Sequence, residues 1–590
     1  MAEQIVRDHN LEALKTAASW PGADRATLVT LATMLASTGA DEEGARFFEK
    51  LTADQPDQVL PLTLAGYFQV RAGEDVAAGV ARLDDAASRD LGLAQYYRGL
   101  ALAGLPAEAG HAGQAVADLE FALAVRDQLP SNLIRAVYHG LAAAYAALGQ
   151  DDLAAQAAAD SGLSAAPDQA RLQFGGGWTS EADGYHFASP RIVEVAPGVR
   201  VAQGYDFADF AFISTGAGVV AIDAGTAPRR VAAALADAGI SARDVSHVIL
   251  THSHFDHAGG IGAFTSPQTD VIAQAGFPAE LARQHANVLP FRTFTGDGAG
   301  FGTGNAAGHV PDIAPGALIA ERTEISVGGT QLVLLPTTGG ETSDALMIYL
   351  PESGVLFAGD VLMPYLGAPF FAEGSPDGLL AALALIGEVQ PRVLVHGHTV
   401  LTELFTAQAV PGLLAAFSEL RDRSLAGIRA SLTLTSLLAE SVLPEVLREQ
   451  PAAVSPYLVA REHFVQRLYH QHTGYWQPDG QAMEPVSPAE RAAALDLLAG
   501  RDPAQFAGAA RTLLAQRDPA LALEIVSAGL ISHPEHGELV QLRQQALYRL
   551  MERYQLGDPF RFLIYAEMAG VELGPVQRAP RRPAPAPAQN

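Results

Sequence analysis

Three histidines and one aspartate lie within six residues of each other, in the segment His252-Ser-His254-Phe-Asp256-His257. The apolar run VILT comes directly before them, which predicts a loop at the end of a buried strand. Side chains two positions apart on an extended backbone point the same way, so His252 and His254 are expected to face one centre. Asp256 and His257 are expected to face a second centre as the loop closes into a helix. Imidazoles and carboxylates are ligands of divalent metals, so the segment predicts a two-metal site. The competing interpretation is a polar turn that faces solvent.

The composition restricts the kind of metal site and the kind of partner. The chain has no cysteine, so a metal must be held by His, Asp and Glu. There are 65 acidic and 38 basic residues, and the resulting net charge of -27 repels the phosphates of nucleic acids and anionic lipids. No apolar run approaches the roughly 20 residues that cross a bilayer, and the first residues lack the pattern of a secretory signal. We therefore predict a cytoplasmic protein that acts on a small molecule, without nucleic acid or membrane partners.

Strands and helices alternate around the histidine segment. Residues 191–223 contain short alternating or apolar runs typical of antiparallel strands. Further apolar runs follow, QLVLLPTT, ALMIYLP, GVLFAGD and RVLVHGH, and each ends in a polar or glycine-containing loop. Helical patterns lie between several of them. This order predicts an α/β fold with chemistry-bearing residues at strand ends.

Helical sequence flanks this region on both sides. Apolar residues recur at helical spacing from about residue 8 to 170, and the turn glycines Gly39 and Gly73 are 34 residues apart. This period resembles the tetratricopeptide repeat, and an ordinary helical bundle is the alternative. We predict five segments: helical repeats over 1–172, a linker over 173–190, the α/β domain over 191–410, a helical domain over 411–573 and a disordered Pro/Ala tail over 574–590.

The histidine segment resembles the metallo-β-lactamase superfamily, and later motifs match that superfamily in order. The resemblance implies an αββα sandwich, here between the N-terminal helical repeats and a C-terminal all-α domain. GVVAIDAG supplies Asp223, where the superfamily keeps a carboxylate that braces the histidine loop without binding metal. FAGD supplies Asp360 as the carboxylate between the metals, and VHGH supplies His398 as the last ligand of the second metal. His396 is either a similar supporting residue or a structural one.

Gly340-Glu341-Thr342 stands where most superfamily members have Gly-His-Thr. A glutamate in this slot, 19 residues before Asp360, is typical of the alkylsulfatase branch. The stretch FVQRLYHQHTGYWQPDG and the helical sequence after it resemble the dimerisation domain of alkylsulfatases. The resemblance covers about residues 190–573 and implies a homodimer, a pair of zinc ions and hydrolysis of an ester-like bond. A sulfate ester of an alkyl chain is the best single substrate on this basis.

The ligands are predicted to divide between the two metals as follows: His252, His254 and Glu341 on the first, Asp256, His257 and His398 on the second, and Asp360 between them. A water shared by two divalent ions becomes a hydroxide nucleophile near neutral pH, so Asp256 and Asp360 are assigned to the catalytic centre. Zinc is favoured, and manganese and iron also suit a site that mixes carboxylates with imidazoles.

The substrate contacts are predicted less directly. In alkylsulfatases an arginine after the bridging carboxylate grips the sulfate, and a gap-free alignment puts Glu373 there. Arg292, in a long glycine-rich segment, is the candidate to replace that arginine. Phe370 and Phe371 are predicted to form an apolar substrate wall. Tyr365 is a candidate substrate contact and leaving-group acid.

Two other interpretations remain open from the sequence. In one, the same metal site serves another hydrolysis, of a thioester, a lactone or a phosphoester, or holds iron in an oxygen-using enzyme. In the other, the chain is an assembly protein in which the helical repeats recruit a protein partner and the metal-binding domain is a scaffold.

Overall fold

The computed structural model describes residues 2–161, 178–180, 184–187, 190–264, 269–286, 310–366, 373–440, 443–474, 483–555 and 558–571, with the side chains of 2–9, 178–180, 184–186 and 559 excepted. Most of the predicted linker and the whole predicted tail lie outside these residues.

Helices occupy the N-terminal part of the chain, as the spacing of apolar residues predicts. In order they are α1 (Ala2–Ala18), α2 (Arg25–Ser37), α3 (Asp41–Asp54), α4 (Val59–Ala72), α5 (Val76–Arg89), α6 (Leu93–Ala103), α7 (Ala112–Ala124), α8 (Ile134–Ala147) and α9 (Asp151–Asp160). Gly73 ends α4 in the left-handed conformation, with φ of 74°, which glycine adopts without strain. Gly66 lets α4 and α5 cross closely, because a Cβ there would lie 2.9 Å from the carbonyl oxygen of Gly79. The predicted helix–turn–helix units are present, and their identity as tetratricopeptide repeats stays a prediction.

Two sheets form the centre of the molecule. A short hairpin, β1 (Trp178–Ser180) and β2 (Gly184–His186), precedes them. The first sheet has seven strands in the order β3 (Arg191–Ala196), β4 (Val199–Gln203), β5 (Phe210–Thr215), β6 (Gly218–Ile222), β7 (Val245–Ile249), β8 (Asp270–Gln274) and β9 (Ala317–Ile319). The second has five in the order β10 (Thr323–Val327), β11 (Thr330–Thr337), β12 (Ala345–Leu350), β13 (Val355–Gly359) and β14 (Val393–His396). The pair β6–β7 is parallel in the first sheet, and β13–β14 is parallel in the second.

The sheets pack face to face, and the alternation of side chains along each strand explains how. In β11, Leu332 and Leu334 point into the core between the two sheets. Val333 and Leu335 point the other way, into a core shared with helices. On the outer side of the first sheet, α10 (Pro228–Ala238), α11 (Phe255–Ala258) and α12 (Phe277–Ala286) form the covering layer. The predicted αββα arrangement is therefore confirmed.

Helices from both ends of the chain share one apolar core with the outer face of the second sheet. After α13 (Pro376–Val389) and α14 (Thr399–Leu404), the chain is helical: α15 (Val410–Arg429), α16 (Leu434–Glu440), α17 (Val446–Glu449), α18 (Val454–Thr473), α19 (Pro488–Leu498), α20 (Pro503–Ala515), α21 (Pro519–Ser532), α22 (Gly537–Tyr554) and α23 (Pro559–Ala569). One apolar core joins Leu14 of α1 and Leu31 of α2 with Leu413 of α15 and Phe464 of α18. The N-terminal helices thus pack on the rest of the molecule. Among the described helices, none is long and apolar enough to cross a membrane.

Candidate metal centre

Functional side chains collect where strands of both sheets end. In the first sheet, Asp223 follows β6, and His252 and His254 follow β7. In the second sheet, Asp360 follows β13, and His398 lies two residues beyond β14. Each pair of strands is parallel, so its carboxyl ends share one edge, and the packing of the sheets brings the two edges together.

His252, His254 and Glu341 form the first cluster. Glu341 lies in the loop between β11 and β12, and its Oε2 is 3.2 Å from Nε2 of His252. Its Oε1 is 3.5 Å from Nδ1 of His254. All three side chains are buried.

Asp256, His257, Asp360 and His398 form the second cluster. Oδ2 of Asp360 lies 2.9 Å from Nε2 of His398 and 3.3 Å from Nε2 of His257. Oδ2 of Asp256 lies 3.4 Å from the same nitrogen of His398 and 3.5 Å from that of His257. Four ligand atoms therefore face one point in the interior.

The two clusters are adjacent. The ring centroids of His252 and His257, one from each cluster, are 4.1 Å apart. Asp360 belongs to the second cluster, and its charge also acts on the pKa values of His252 and Glu341 in the first. The structure therefore brings together the seven predicted metal-ligand residues, with Asp360 acting on both groups.

Each of the four histidines has one ring nitrogen bonded to the surrounding protein and the other directed at its cluster. Nδ1 of His257 lies 2.8 Å from Oδ2 of Asp223, and Nδ1 of His398 lies 3.0 Å from the carbonyl oxygen of Phe207. Nδ1 of His252 lies 3.0 Å from Oγ1 of Thr251. Metal-binding histidines commonly donate their second N–H to such an acceptor, which fixes the tautomer and the ring orientation.

Asp223 holds the histidine loop in place from the neighbouring strand. One carboxylate oxygen accepts the backbone N–H of Thr251 at 2.7 Å, and the other accepts its hydroxyl at 2.8 Å. The second oxygen also accepts from His257. Asp223 therefore contacts both the start of the histidine loop and His257, and its supporting role at a metal site stays a prediction.

Glu373 occupies a different place from the one its alignment predicted. Its Oε2 lies 2.8 Å from Nε2 of His254, and only 3% of the residue is exposed. A cavity borders the two clusters, and Glu373 is not among the described residues that line it. The prediction of a substrate-facing Glu373 is therefore corrected: Glu373 accepts the Nε2–H of His254 and leaves Nδ1 directed at the first cluster.

His396 and Tyr365 have hydrogen-bond partners outside the two clusters, and Tyr365 lines the cavity that borders them. Nε2 of His396 lies 3.0 Å from the carbonyl oxygen of Phe405, so its ring contacts the backbone after α14. The hydroxyl of Tyr365 donates to Asp558 at 2.6 Å, and burial followed by the charge of Asp558 raises the pKa of Tyr365 well above its ordinary value. Tyr365 is therefore a neutral phenol whose proton is already engaged. Arg292, Phe370 and Phe371 lie outside the described residues.

The donor set fits divalent metal ions. Four of the buried side-chain atoms that have no hydrogen-bond partner in the described structure come from the clusters: Nε2 of His252, Nε2 of His257, Oε2 of Glu341 and Oδ1 of Asp360. Buried polar atoms are costly when unpaired, and these belong to residues of the two clusters. Three buried carboxylates also need compensating positive charge, which divalent cations would supply.

Without metal, protons supply part of that charge. Burial lowers the pKa of His398, but Asp360 outweighs burial and raises this pKa to about 9. Burial also lowers the pKa values of His254 and His257. The carboxylates around these two histidines outweigh burial and raise both pKa values well above the ordinary value. For Asp360, burial favours the neutral acid, but His398 and His257 hold its pKa well below its usual range.

We expect the metal-free protein to lose stability between about pH 6.5 and pH 9. The pKa of His398 is about 9 when folded and about 6.5 in an unfolded chain. Its protonation therefore stabilises the fold fully below the unfolded value, and this contribution is lost as the pH rises through the folded one. Thermal unfolding of chelator-treated protein across this range measures the effect, and His398→Asn should flatten the slope. An identical slope in metal-loaded protein would contradict the assignment.

A cavity of about 770 Å³ borders both clusters, a size that suits a small molecule. His254 and Glu341 of the first cluster line it, as do Asp256 and His398 of the second. The apolar wall next to them is formed by Phe187, Phe207, Phe255 and Met363. Arginines and carboxylates of the C-terminal helices line another part of this cavity.

Comparison with known proteins agrees with this architecture. Residues 206–398 match the model of the metallo-beta-lactamase superfamily. The chain is 24% identical over 315 residues to the linear primary-alkylsulfatase of Pseudomonas sp., and the match covers 48% of this chain and 60% of that protein. It is 27% identical over 218 residues to hydroxyacylglutathione hydrolase of Rhodobacter capsulatus, covering 36% and 68% respectively.

Among solved structures, the stereoselective inverting sec-alkylsulfatase Pisa1 from Pseudomonas sp. matches with a TM-score of 0.53 at 19% identity. The match covers 70% of this chain and 69% of that one, and it shows a shared fold. The chain therefore contains a metallo-beta-lactamase domain and has alkylsulfatases among its relatives, as its motifs predict.

Proposed function

We propose that this protein is a metal-dependent hydrolase with a two-metal centre, acting on an ester-like small molecule. The observation that carries the proposal is the pair of adjacent buried clusters, whose unpartnered ligand atoms border a cavity of small-molecule size. An alkyl sulfate is the first substrate to test.

In this proposal His252, His254 and Glu341 would hold the first ion, Asp256, His257 and His398 would hold the second, and Asp360 would serve both. Two divalent ions held here would supply Lewis acidity and would lower the pKa of a bound water toward neutral. Zinc suits the four imidazoles and three carboxylates, and manganese or iron are the alternatives for elemental analysis to distinguish.

The protein's own residues orient the ligands and exclude water. Asp223, Thr251 and the carbonyl of Phe207 hold the histidine rings in their tautomers. Phe207 packs edge-on to His398, with ring centroids 4.8 Å apart, which keeps this side of the centre apolar. An apolar wall beside a cationic centre suits a substrate with an anionic head and an apolar tail.

Two relatives support different ester classes. The linear primary-alkylsulfatase favours a sulfate ester, but its match spans 60% of that enzyme, so substrate transfer to this chain is part of the proposal. Hydroxyacylglutathione hydrolase favours the second candidate, an ester of another class such as a thioester. The chain's mixed carboxylate and imidazole ligands are compatible with both.

The decisive experiment is a substrate panel with the metal-loaded protein. Alkyl sulfates are assayed beside aryl esters, thioesters, lactones and phosphodiesters, and Glu341→Ala is the matched variant. We expect turnover of an alkyl sulfate that is lost in this variant. Turnover of another ester class alone would establish the second candidate. No turnover of any ester by protein that holds two metal equivalents would refute the hydrolase.

We also propose a homodimer formed through residues 411–573. Large apolar side chains are unusually exposed on these helices: Leu497 is 69% and Leu498 85% exposed, both on α19. Ile531 and Val540 are about half exposed on α21 and α22. Such residues favour a surface that is covered in an assembly. Light scattering should give twice the chain mass, and Leu497→Glu with Leu498→Glu should give the monomer; a monomeric unmodified protein would reject the dimer.

A further inference from the structure

The cavity beside the metal centre is completed by helices from the far N-terminal part of the chain. Besides Arg25 at the start of α2, the residues of this helix that line it are Ala26, Val29, Thr30, Thr33 and Met34. Their spacing of three, four, seven and eight residues defines one face of a helix. At 1.5 Å per residue this face is about 12 Å long. On α1, Asn10 and Leu14 are one turn apart and line the same cavity.

These helices are fixed in place by contacts with the C-terminal helices. Nδ2 of Asn10 donates to the carbonyl oxygen of Leu458 in α18 at 3.2 Å. The guanidinium of Arg448 lies over the ring of Trp20, 5.3 Å from its centroid. Leu14 is 2% exposed and belongs to the core shared with α15 and α18. The α1–α2 wall is therefore a built part of the site rather than a detached arm.

Apolar side chains of the C-terminal helices line the same cavity as α2. Leu438 of α16 and Leu458 and Val459 of α18 line it together with Val29 and Met34 of α2. This compartment is continuous with the part of the cavity that borders His254 and His398. A ligand with its reacting group at the metal centre can therefore extend an apolar tail between α2 and α18.

We infer that α1 and α2 form the tail-binding wall of the substrate site and limit the length of the apolar tail that the protein accepts. The inference rests on the proposed function only in placing the reacting head group at the metal centre. Each methylene that enters the compartment should tighten binding about fourfold, until the compartment is full. The N-terminal helices are then a specificity element of this site, whatever else they bind.

The test uses substitutions that change the volume of the compartment. Thr30 is half-buried on the cavity face, so Thr30→Trp fills the compartment with little disturbance of the core. Met34→Ala enlarges it and serves as the second variant should the tryptophan prevent folding. Lys50→Trp, on the exposed surface of α3, is the control for a large aromatic side chain elsewhere.

The probes are non-hydrolysable hexane- to dodecane-1-sulfonates and the matching n-alkanols, titrated by calorimetry below their micelle concentrations into metal-loaded full-length protein. We expect the affinity of the unmodified protein to rise with tail length and then to reach a plateau. The plateau should begin at shorter tails in Thr30→Trp and at longer tails in Met34→Ala. Lys50→Trp should behave like the unmodified protein. If the plateau shifts in this way for the alkanols but not for the sulfonates, the result would support the tail-binding wall and would count against a sulfate head group. An unchanged plateau in both cavity variants, or no dependence on tail length for either series, would overturn the inference.

Discussion

Replacing Asp360 by asparagine is expected to abolish hydrolysis and to remove metal from the protein. Oδ2 of Asp360 contacts both His257 and His398, and its charge acts on His252 and Glu341 as well. The amide keeps the shape of the side chain and removes its charge, so the loss should be at least about a thousandfold in kcat/KM. Elemental analysis should also give at least one metal equivalent fewer per chain.

The matched control is Asp518→Asn. Asp518 is also buried, but it caps the N-terminus of α21 by accepting the backbone N–H of Leu521, and asparagine caps helices equally well. We expect this variant to keep both metal content and activity. Full metal content and activity in Asp360→Asn would show that the two clusters do not act as one centre.

Replacing Glu373 by alanine is expected to weaken metal binding about 10–100-fold, the range found when a residue that supports a metal ligand is removed. Glu373 accepts the Nε2–H of His254, and without it the ring loses the partner that keeps Nδ1 directed at Glu341. Glu373→Gln retains an acceptor oxygen and should lose less. Zinc affinity, measured by competition with a chromogenic chelator, gives a readout independent of turnover.

The variant Glu373→Arg distinguishes the contact between Glu373 and His254 from the substrate contact that the alignment with alkylsulfatases predicts. If residue 373 faces the substrate, arginine there should improve turnover of sulfate esters. Because the structure places Glu373 against His254, we expect the arginine to expel metal more strongly than alanine does. Improved turnover of alkyl sulfates with unchanged zinc affinity would restore the predicted substrate contact.

The histidine segment could be predicted from sequence because its residues are contiguous and follow an apolar strand. Glu341, Asp360 and His398 were predicted from a family resemblance, since each follows a strand end but none is close to His252 in the chain. The sandwich itself follows from alternation, as in β11, where Leu332 and Val333 face different cores.

Contacts across long separations could not be predicted in the same way. His254 and Glu373 are 119 residues apart, and no local pattern states which ring nitrogen a distant carboxylate will reach. The face of α2 that lines the cavity is a second feature that no local pattern predicts. The spacing of Val29 and Met34 predicts a helix, but the surface against which a helix packs depends on the whole fold. Recruitment of a partner by the helical repeats stays a prediction, and the structure adds that residues of α2 line the cavity that borders the two clusters.

The ligands are divided between the two sheets, and this has a consequence for biosynthesis. The histidines after β7 leave the ribosome well before Asp360 and His398, so the early segment offers four of the seven proposed ligands. Complete loading must wait until β14 has been translated and has paired with β13. If the proposed ions bind, an ion captured then would tie the two halves of the sandwich together, and we expect metal supply to set when a newly made chain reaches its mature form.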